Sequence, residues 1–242
     1  MPDDTVYADS SGNLDDAQAT KITTTTDSYT NTRNATDSNS APATTGTVSY
    51  CGYGRNSNSA FKYVYRVFFN FDLSGLDSSD TVSEATLKFS SNADLSNMFS
   101  TMTADTGEHV HVCKAAFGAS WDTGDFNGMV GWVSSGDYDG EVTEYTSPAS
   151  QAASTQYELT LNSTAITDIN NAMGLSSIQM AILTSQDFND GVWDDPYVQG
   201  FVGARGIRVN MMEYVTESSR PHIELTYESA ALDNAILFGT NF

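Results

Sequence analysis

The sequence predicts an all-β protein, a jelly-roll-like antiparallel β-sandwich with one short inserted helix, and three observations carry that expectation. Phe61, Tyr63, Tyr65, Val67, Phe69 and Phe71 recur at every second position, the period of a strand. Further short apolar runs follow along the chain, each bounded by Gly, Asn, Asp or Ser. Ser and Thr make up roughly a quarter of the 242 residues and 18 Gly punctuate them, as in a turn-rich β protein.

Thr5 to Ala8 reads as a short first strand. Lys21 to Gly46, within a Thr/Ser-rich stretch of about 19–47, offers almost no large apolar residue to bury and is expected to be a long surface loop or edge meander. Phe61 to Phe71 is the central strand, with Phe69 and Phe71 in the core and Phe68 on the opposite face, covered by the second sheet or by a partner. Arg66 falls on that strand's polar face, where Glu84 of the next strand could pair with it. Asp72 to Asp77 supplies turn residues, and Val82 to Phe89 resumes the alternation with Ala85, Leu87 and Phe89 on one side. Strands are also expected at His109–Ala115, Tyr157–Leu161, Ser177–Thr184, Gly206–Met212 and His222–Tyr227. Between Leu161 and Gly174 the period changes: Ser163 or Thr164 can cap a helix, Ile166, Ile169 and Met173 share a face, and Gly174 can end it. Seven or eight strands and one helix form a single domain over residues 1–228, leaving an apolar tail at 229–242.

Lys and Arg total 10 against 31 Asp and Glu, a formal charge of −21. This has the wrong sign for a phosphate backbone, so nucleic-acid binding is not expected. Such a surface is self-repelling and needs screening by salt or cations, which fits a saline environment as well as an acidic mesophile. No apolar run approaches the roughly 18 residues of a membrane helix. The opening Met1-Pro2-Asp3-Asp4 lacks a basic or apolar leader, so a secretory signal is expected to be absent or removed. Cys51 and Cys113 either pair once or stay reduced.

Tyr65-Arg66-Val67-Phe68-Phe69-Asn70-Phe71-Asp72-Leu73-Ser74-Gly75-Leu76, followed by Val82-Ser83-Glu84-Ala85-Thr86-Leu87-Lys88-Phe89, resembles the signature of DNRLRE-type β-sandwich domains. His109-Val110-His111-Val112 before Trp121, Tyr157 to Leu161, and the closing Ser219-Arg220-Pro221-His222-Ile223-Glu224-Leu225-Thr226-Tyr227 are similar to later segments of that family, in the same order. The resemblance covers roughly residues 60–227 and implies a sandwich of the kind found in surface modules of bacterial and archaeal proteins, some considered carbohydrate-binding, and in structural proteins of tailed viruses. It also implies a core position for Trp121 and Trp132.

Three constellations could carry chemistry. His109, His111 and Cys113 share one strand face, a metal-ligand spacing that would need further ligands from elsewhere. Among the Asp-rich loops, the densest is 187–195, where Asp187, Asp190 and Asp194 offer hard oxygen ligands to Ca2+. In the same loop Trp193, with nearby Tyr197, could stack on a sugar ring. No phosphate loop, nucleophile elbow or Ser/His/Asp spacing is present, and no enzymatic activity is expected. Asn34-Ala35-Thr36 and Asn162-Ser163-Thr164 fit the N-glycosylation acceptor pattern. In the tail, Leu232, Ile236, Leu237, Phe238 and Phe242 must be buried somewhere, and an assembly contact would bury them.

The combined expectation is a non-enzymatic virion structural protein on the surface of a capsid or tail, a decoration, turret or fibre component. It would form homo-oligomers, contact other virion proteins, and could touch host surface glycans. The alternative is an extracellular or cell-surface carbohydrate-binding or adhesion module of a halophilic or marine microbe.

Overall fold

The computed structural model of the chain describes residues 4–8, 16–23, 33–35, 37–38, 47–55, 62–91, 99–100, 110–117, 123–132, 142–146, 156–188 and 203–228. In chain order these form β1 (Asp4–Tyr7), β2 (Asp16–Thr23), β3 (Val48–Arg55), β4 (Lys62–Asp72), β5 (Val82–Ser90), β6 (Phe99–Ser100), β7 (Val110–Lys114) and β8 (Gln156–Thr160). Helix α1 (Ser163–Ala172), β9 (Ser177–Thr184), the single turn α2 (Ser185–Phe188), β10 (Gly203–Asn210) and β11 (His222–Tyr227) follow. The four-stranded sheet runs β1-β11-β5-β8, and the seven-stranded sheet runs β6-β10-β3-β4-β9-β7 with β2 also paired to β4. Every pair is antiparallel except β10 with β6. The all-β sandwich is therefore observed.

Strand β4 organises the larger sheet. It pairs with β2 from Thr23↔Lys62 to Asp16↔Phe69, with β3 over Lys62 to Tyr65, and with β9 over Val67 to Asp72. Its alternation places Val67, Phe69 and Phe71 against Leu87, Phe89, Leu159, Ile223 and Leu225 of the smaller sheet, and these residues form the main core. Phe69 and Phe71 are fully buried, as their spacing predicts.

The opposite face of β4 departs from the expectation. Val64 and Phe68 belong to a second core with Cys113, Phe117, Phe126, Met129, Val142, Leu183 and Phe188, and Ala35 and Trp132 pack against it. Phe68 is thus covered neither by the second sheet nor by a partner but by the chain's own connections, including the 3-10 turn Thr123–Asn127. Loops laid over the outer face of the larger sheet bury a strand that would otherwise need a polar side.

Two further expectations are corrected. The stretch from Lys21 is not all loop, because Asp16–Thr23 is a full-length neighbour of β4, so the edge-meander alternative fits its first residues. Arg66 does not meet Glu84. Strand β5 belongs to the other sheet, Glu84 is exposed there, and Arg66 is fully buried.

Helix α1 is capped by Asn162, not by Ser163 or Thr164: the Asn162 side chain accepts from the Thr164 and Ala165 backbone N–H groups and fills two of the orphan donors of the first turn. Asn162 also donates to the Glu144 carbonyl at 2.8 Å, so its amide is already engaged within the fold. Ala165, Ile169 and Ala172 face the core, and burying Ile169 contributes about 1.5–3 kcal/mol before entropy is subtracted. Gly174, at φ 70°, ends the helix as its position predicts.

Cys51 and Cys113 are free thiols on opposite faces of the larger sheet, one in each core. Desolvation pushes both thiols up, and Cys51 donates to the Ile182 carbonyl at 3.2 Å. The two cores therefore contain reduced cysteines acting as small apolar residues. Gly206 lies opposite Gly52 at φ 152°. A Cβ at Gly206 would collide with the Cys51 carbonyl oxygen, so the pairing of β3 with β10 depends on glycine here.

Candidate functional site

Three buried charged groups of the described residues, Arg33, Arg66 and Asp187, converge beside the second core. Arg66, on β4 between Val64 and Phe68, places all five guanidinium N–H donors on acceptors. Nε and Nη2 grip Asp187 Oδ2 and Oδ1 at 2.7 and 2.8 Å, a bidentate fork. Nη1 donates to the Phe126 carbonyl at 2.8 Å and to Asn127 Oδ1 at 3.1 Å, and Nη2 donates to the Arg33 carbonyl at 2.9 Å. The guanidinium lies 4.0 Å from the Phe126 ring centroid and 4.2 Å from that of Trp132. Arg33, also fully buried, donates from Nε to the Asp187 carbonyl and from Nη2 to the Phe188 carbonyl at 3.2 Å. One strand residue thereby ties α2, the 3-10 turn and the 33–35 segment onto the sheet.

Beside this clamp, the structure brings together a serine, a histidine and a carboxylate. His111 Nε2 lies 3.2 Å from Ser185 Oγ, and its Nδ1 lies 2.8 Å from Glu144 Oε1. The imidazole also stacks on Phe188 at 4.0 Å between centroids, 7° from parallel. A nucleophile, a base and an orienting acid in that order are the parts of an acyl-transfer site. Their exposure runs the wrong way for one. Glu144 has 24% of its side chain in contact with solvent, while His111 and Ser185 are 3% and 6% exposed. Solvent thus reaches the acid, and the hydroxyl that would attack a substrate faces inward. The chain of bonds joins β7, the start of α2 and the 142–146 segment.

An open cleft of about 320 Å³ lies between α1 and the β7–β9 edge. At its wall Lys114 Nζ and Tyr145 OH both donate to Asp168 Oδ2, at 2.9 and 2.7 Å. Burial, and the hydrogen bond to Asp168 after it, push the Tyr145 phenol well above its usual range, so it stays protonated and donating.

Of the residues singled out from sequence, Asp187 is held by Arg66, and both its oxygens face a guanidinium. Its proposed companions Asp190 and Asp194, the stacking residues Trp193 and Tyr197, and the tail residues Leu232, Ile236, Leu237, Phe238 and Phe242 lie outside the described residues, as do His109 and Trp121. Among the described residues, no group of three His, Cys, Asp or Glu side chains is placed to hold a metal ion, and no helix is long and apolar enough to cross a membrane. Trp132, expected in the core, is partly buried and packs against the second core. Sequence reasoning missed the Ser185–His111–Glu144 chain, whose members are 74 and 33 residues apart. No protein-family model matches the chain, and no curated protein matches it.

Proposed function

We propose that the chain is a non-enzymatic structural module of a virion surface, carried on the capsid or tail of a tailed virus as a decoration, turret or fibre component and working as part of an assembly. The observation that carries this reading is the inward commitment of its strongest polar groups. Arg66, Arg33 and Asp187 fasten loops to a sheet, and the one Ser–His–Glu chain among the described residues turns its hydroxyl to the interior. A larger sheet covered on both faces suits a load-bearing part. The net charge of −21 suits a saline medium, and the resemblance of 65–89 and 219–227 to DNRLRE-type domains supports surface display. A carbohydrate-binding or cell-surface adhesion module is the second reading, favoured by the open cleft beside Lys114; glycan binding by an isolated monomer distinguishes it.

The assembly is expected to use the tail. Residues 229–242 carry Leu232, Ile236, Leu237, Phe238 and Phe242, each contributing roughly 1.5–3 kcal/mol when buried. Deleting everything after Glu228 should leave a domain with an unchanged melting temperature that no longer oligomerises. A truncated protein that unfolds would make the tail an internal clasp, and one that assembles as before would place the contact elsewhere.

A further inference from the structure

The four-stranded sheet ends in two strands that have a neighbour on one side only. Among the described residues β1 pairs with β11 and β8 pairs with β5, and nothing pairs with the far side of either. Two backbone bonds fix which groups look outward. The Ala8 N–H donates to the Pro221 carbonyl, so Asp4, Val6 and Ala8 address β11, while Thr5 and Tyr7 address the open side. The Leu161 N–H donates to the Ala85 carbonyl, so Tyr157 and Leu159 address β5, while Glu158 and Thr160 address the open side. Among the described residues, no hydrogen bond reaches the outward backbone groups of these four. Thr5, Glu158 and Thr160 are exposed and Tyr7 is half-buried.

Open edges are templates for further pairing, and proteins guard them with proline, lysine or a bulge. Asp4–Tyr7 and Gln156–Thr160 contain neither proline nor lysine, and their registers run without a shift. The charge that β8 does carry, Glu158, is drawn to Lys88 at 3.3 Å. The two edges also fit each other. Four antiparallel strands leave β1 and β8 running in opposite directions, so a copy set beside another in the same orientation brings β8 against the next β1 as an antiparallel pair. Tyr7, His222, Lys88 and Glu158 form one row across the sheet, and Thr5, Glu224, Thr86 and Thr160 form the adjacent row on the same face. Continuing the rows puts Glu158 opposite Tyr7 of the next copy and Thr160 opposite its Thr5. The outward groups of both strands then meet in two hydrogen-bonded pairs. The side chains agree: the Tyr7 phenol can donate to the Glu158 carboxylate, Thr meets Thr, and on the core side Val6, only partly buried in one copy, meets Leu159.

We propose that copies of this chain join edge to edge, β8 of one adding to β1 of the next so that their four-stranded sheets run on as one. This rests on the assembly reading above and adds its geometry. The contact is heterologous, so it repeats into a ring or a filament. A two-fold pairing of β8 with itself fits less well. Centred on Glu158 it sets the two carboxylates directly opposite, centred on Leu159 it sets them diagonally on one face, and either way β1 stays open. The backbone bonds of so short a contact fix direction and register, and the apolar tail supplies the remaining affinity.

The test blocks one edge at a time. The outward N–H groups of Thr5 and Glu158 are spare in a single copy, so Thr5→Pro and Glu158→Pro remove them while the pairing within the sheet stays intact. Each variant alone should associate at least about a hundredfold more weakly than wild type, because every contact then lacks one competent edge. In an equimolar mixture the β8 of the Thr5→Pro protein meets the β1 of the Glu158→Pro protein, and sedimentation should show pairs of copies that grow no further. Amide exchange of the wild-type chain, which needs no variant, should slow at Thr5, Tyr7, Glu158 and Thr160 between dilute and associating concentrations. A Thr5→Pro protein that pairs with itself as strongly as wild type, association unchanged in both variants, or association without slowed exchange at these amides would overturn the edge contact and leave the assembly reading standing. A wild-type chain that stays monomeric at every concentration would overturn both.

Discussion

Replacing Arg66 by Met is expected to cost about 3–5 kcal/mol, because it takes the bidentate fork from the Asp187 carboxylate in the second core and leaves it only the more distant Arg33 Nε, 3.6 Å away. The loss is larger than a surface ion pair would give, since both side chains are buried and the fork supplies two short bonds. It should also be local in character. The guanidinium tethers Phe126 and Arg33 through their carbonyls and stacks on Trp132, so the 3-10 turn and the 33–35 segment should loosen before the main core does. Trp132 emission moving to longer wavelength at denaturant concentrations below the far-ultraviolet transition would report this. Arg66→Lys keeps the charge but not the planar fork and should recover only part of the loss. Adding Asp187→Leu to Arg66→Met should recover part as well, because the Phe126 and Arg33 carbonyls remain without their donor. An Arg66→Met protein with the wild-type denaturant midpoint would show that the clamp does not hold the second core.

Phe69→Ala should be comparably damaging for a different reason. Its ring is fully buried in the main core, 5.9 Å from that of Phe71 and 6.3 Å from that of Phe89 on the facing sheet. Truncation opens a cavity between two sheets whose backbones cannot collapse into it, with an expected cost of about 3–5 kcal/mol. Both sheets should then unfold in one transition at a lower midpoint. A midpoint equal to wild type would contradict the placement of β4 between the two cores.

These two residues show what the sequence could and could not disclose. Phe69 and Phe71 were legible because a period of two survives in any strand with one apolar face. Strands β2 and β3 were not, because Asp16–Thr23 is Thr- and Ala-rich and Val48–Arg55 contains Gly52 and Gly54, compositions that read as loop until a neighbour supplies the pairing. Arg66 reads as a residue of the strand's polar face, paired with Glu84, because charged residues seldom enter cores alone. The contrary signal was present: Val64 and Phe68 lie two positions either side of it, and a face with apolar residues at both flanks is a covered one. Its partner Asp187 is 121 residues away, a distance over which no local rule operates. Asp187 invited a cation-site reading through its acidic neighbours, whereas the fold uses its charge to neutralise an arginine.

The central claim is that this domain functions as a repeated part, and the mass of the 242-residue chain in solution tests it most directly. Light scattering across a range of protein concentrations, at about 0.15 M and at molar salt, should give masses that are multiples of 26.1 kDa. A mass of 26.1 kDa at every concentration and in both salts would contradict the account.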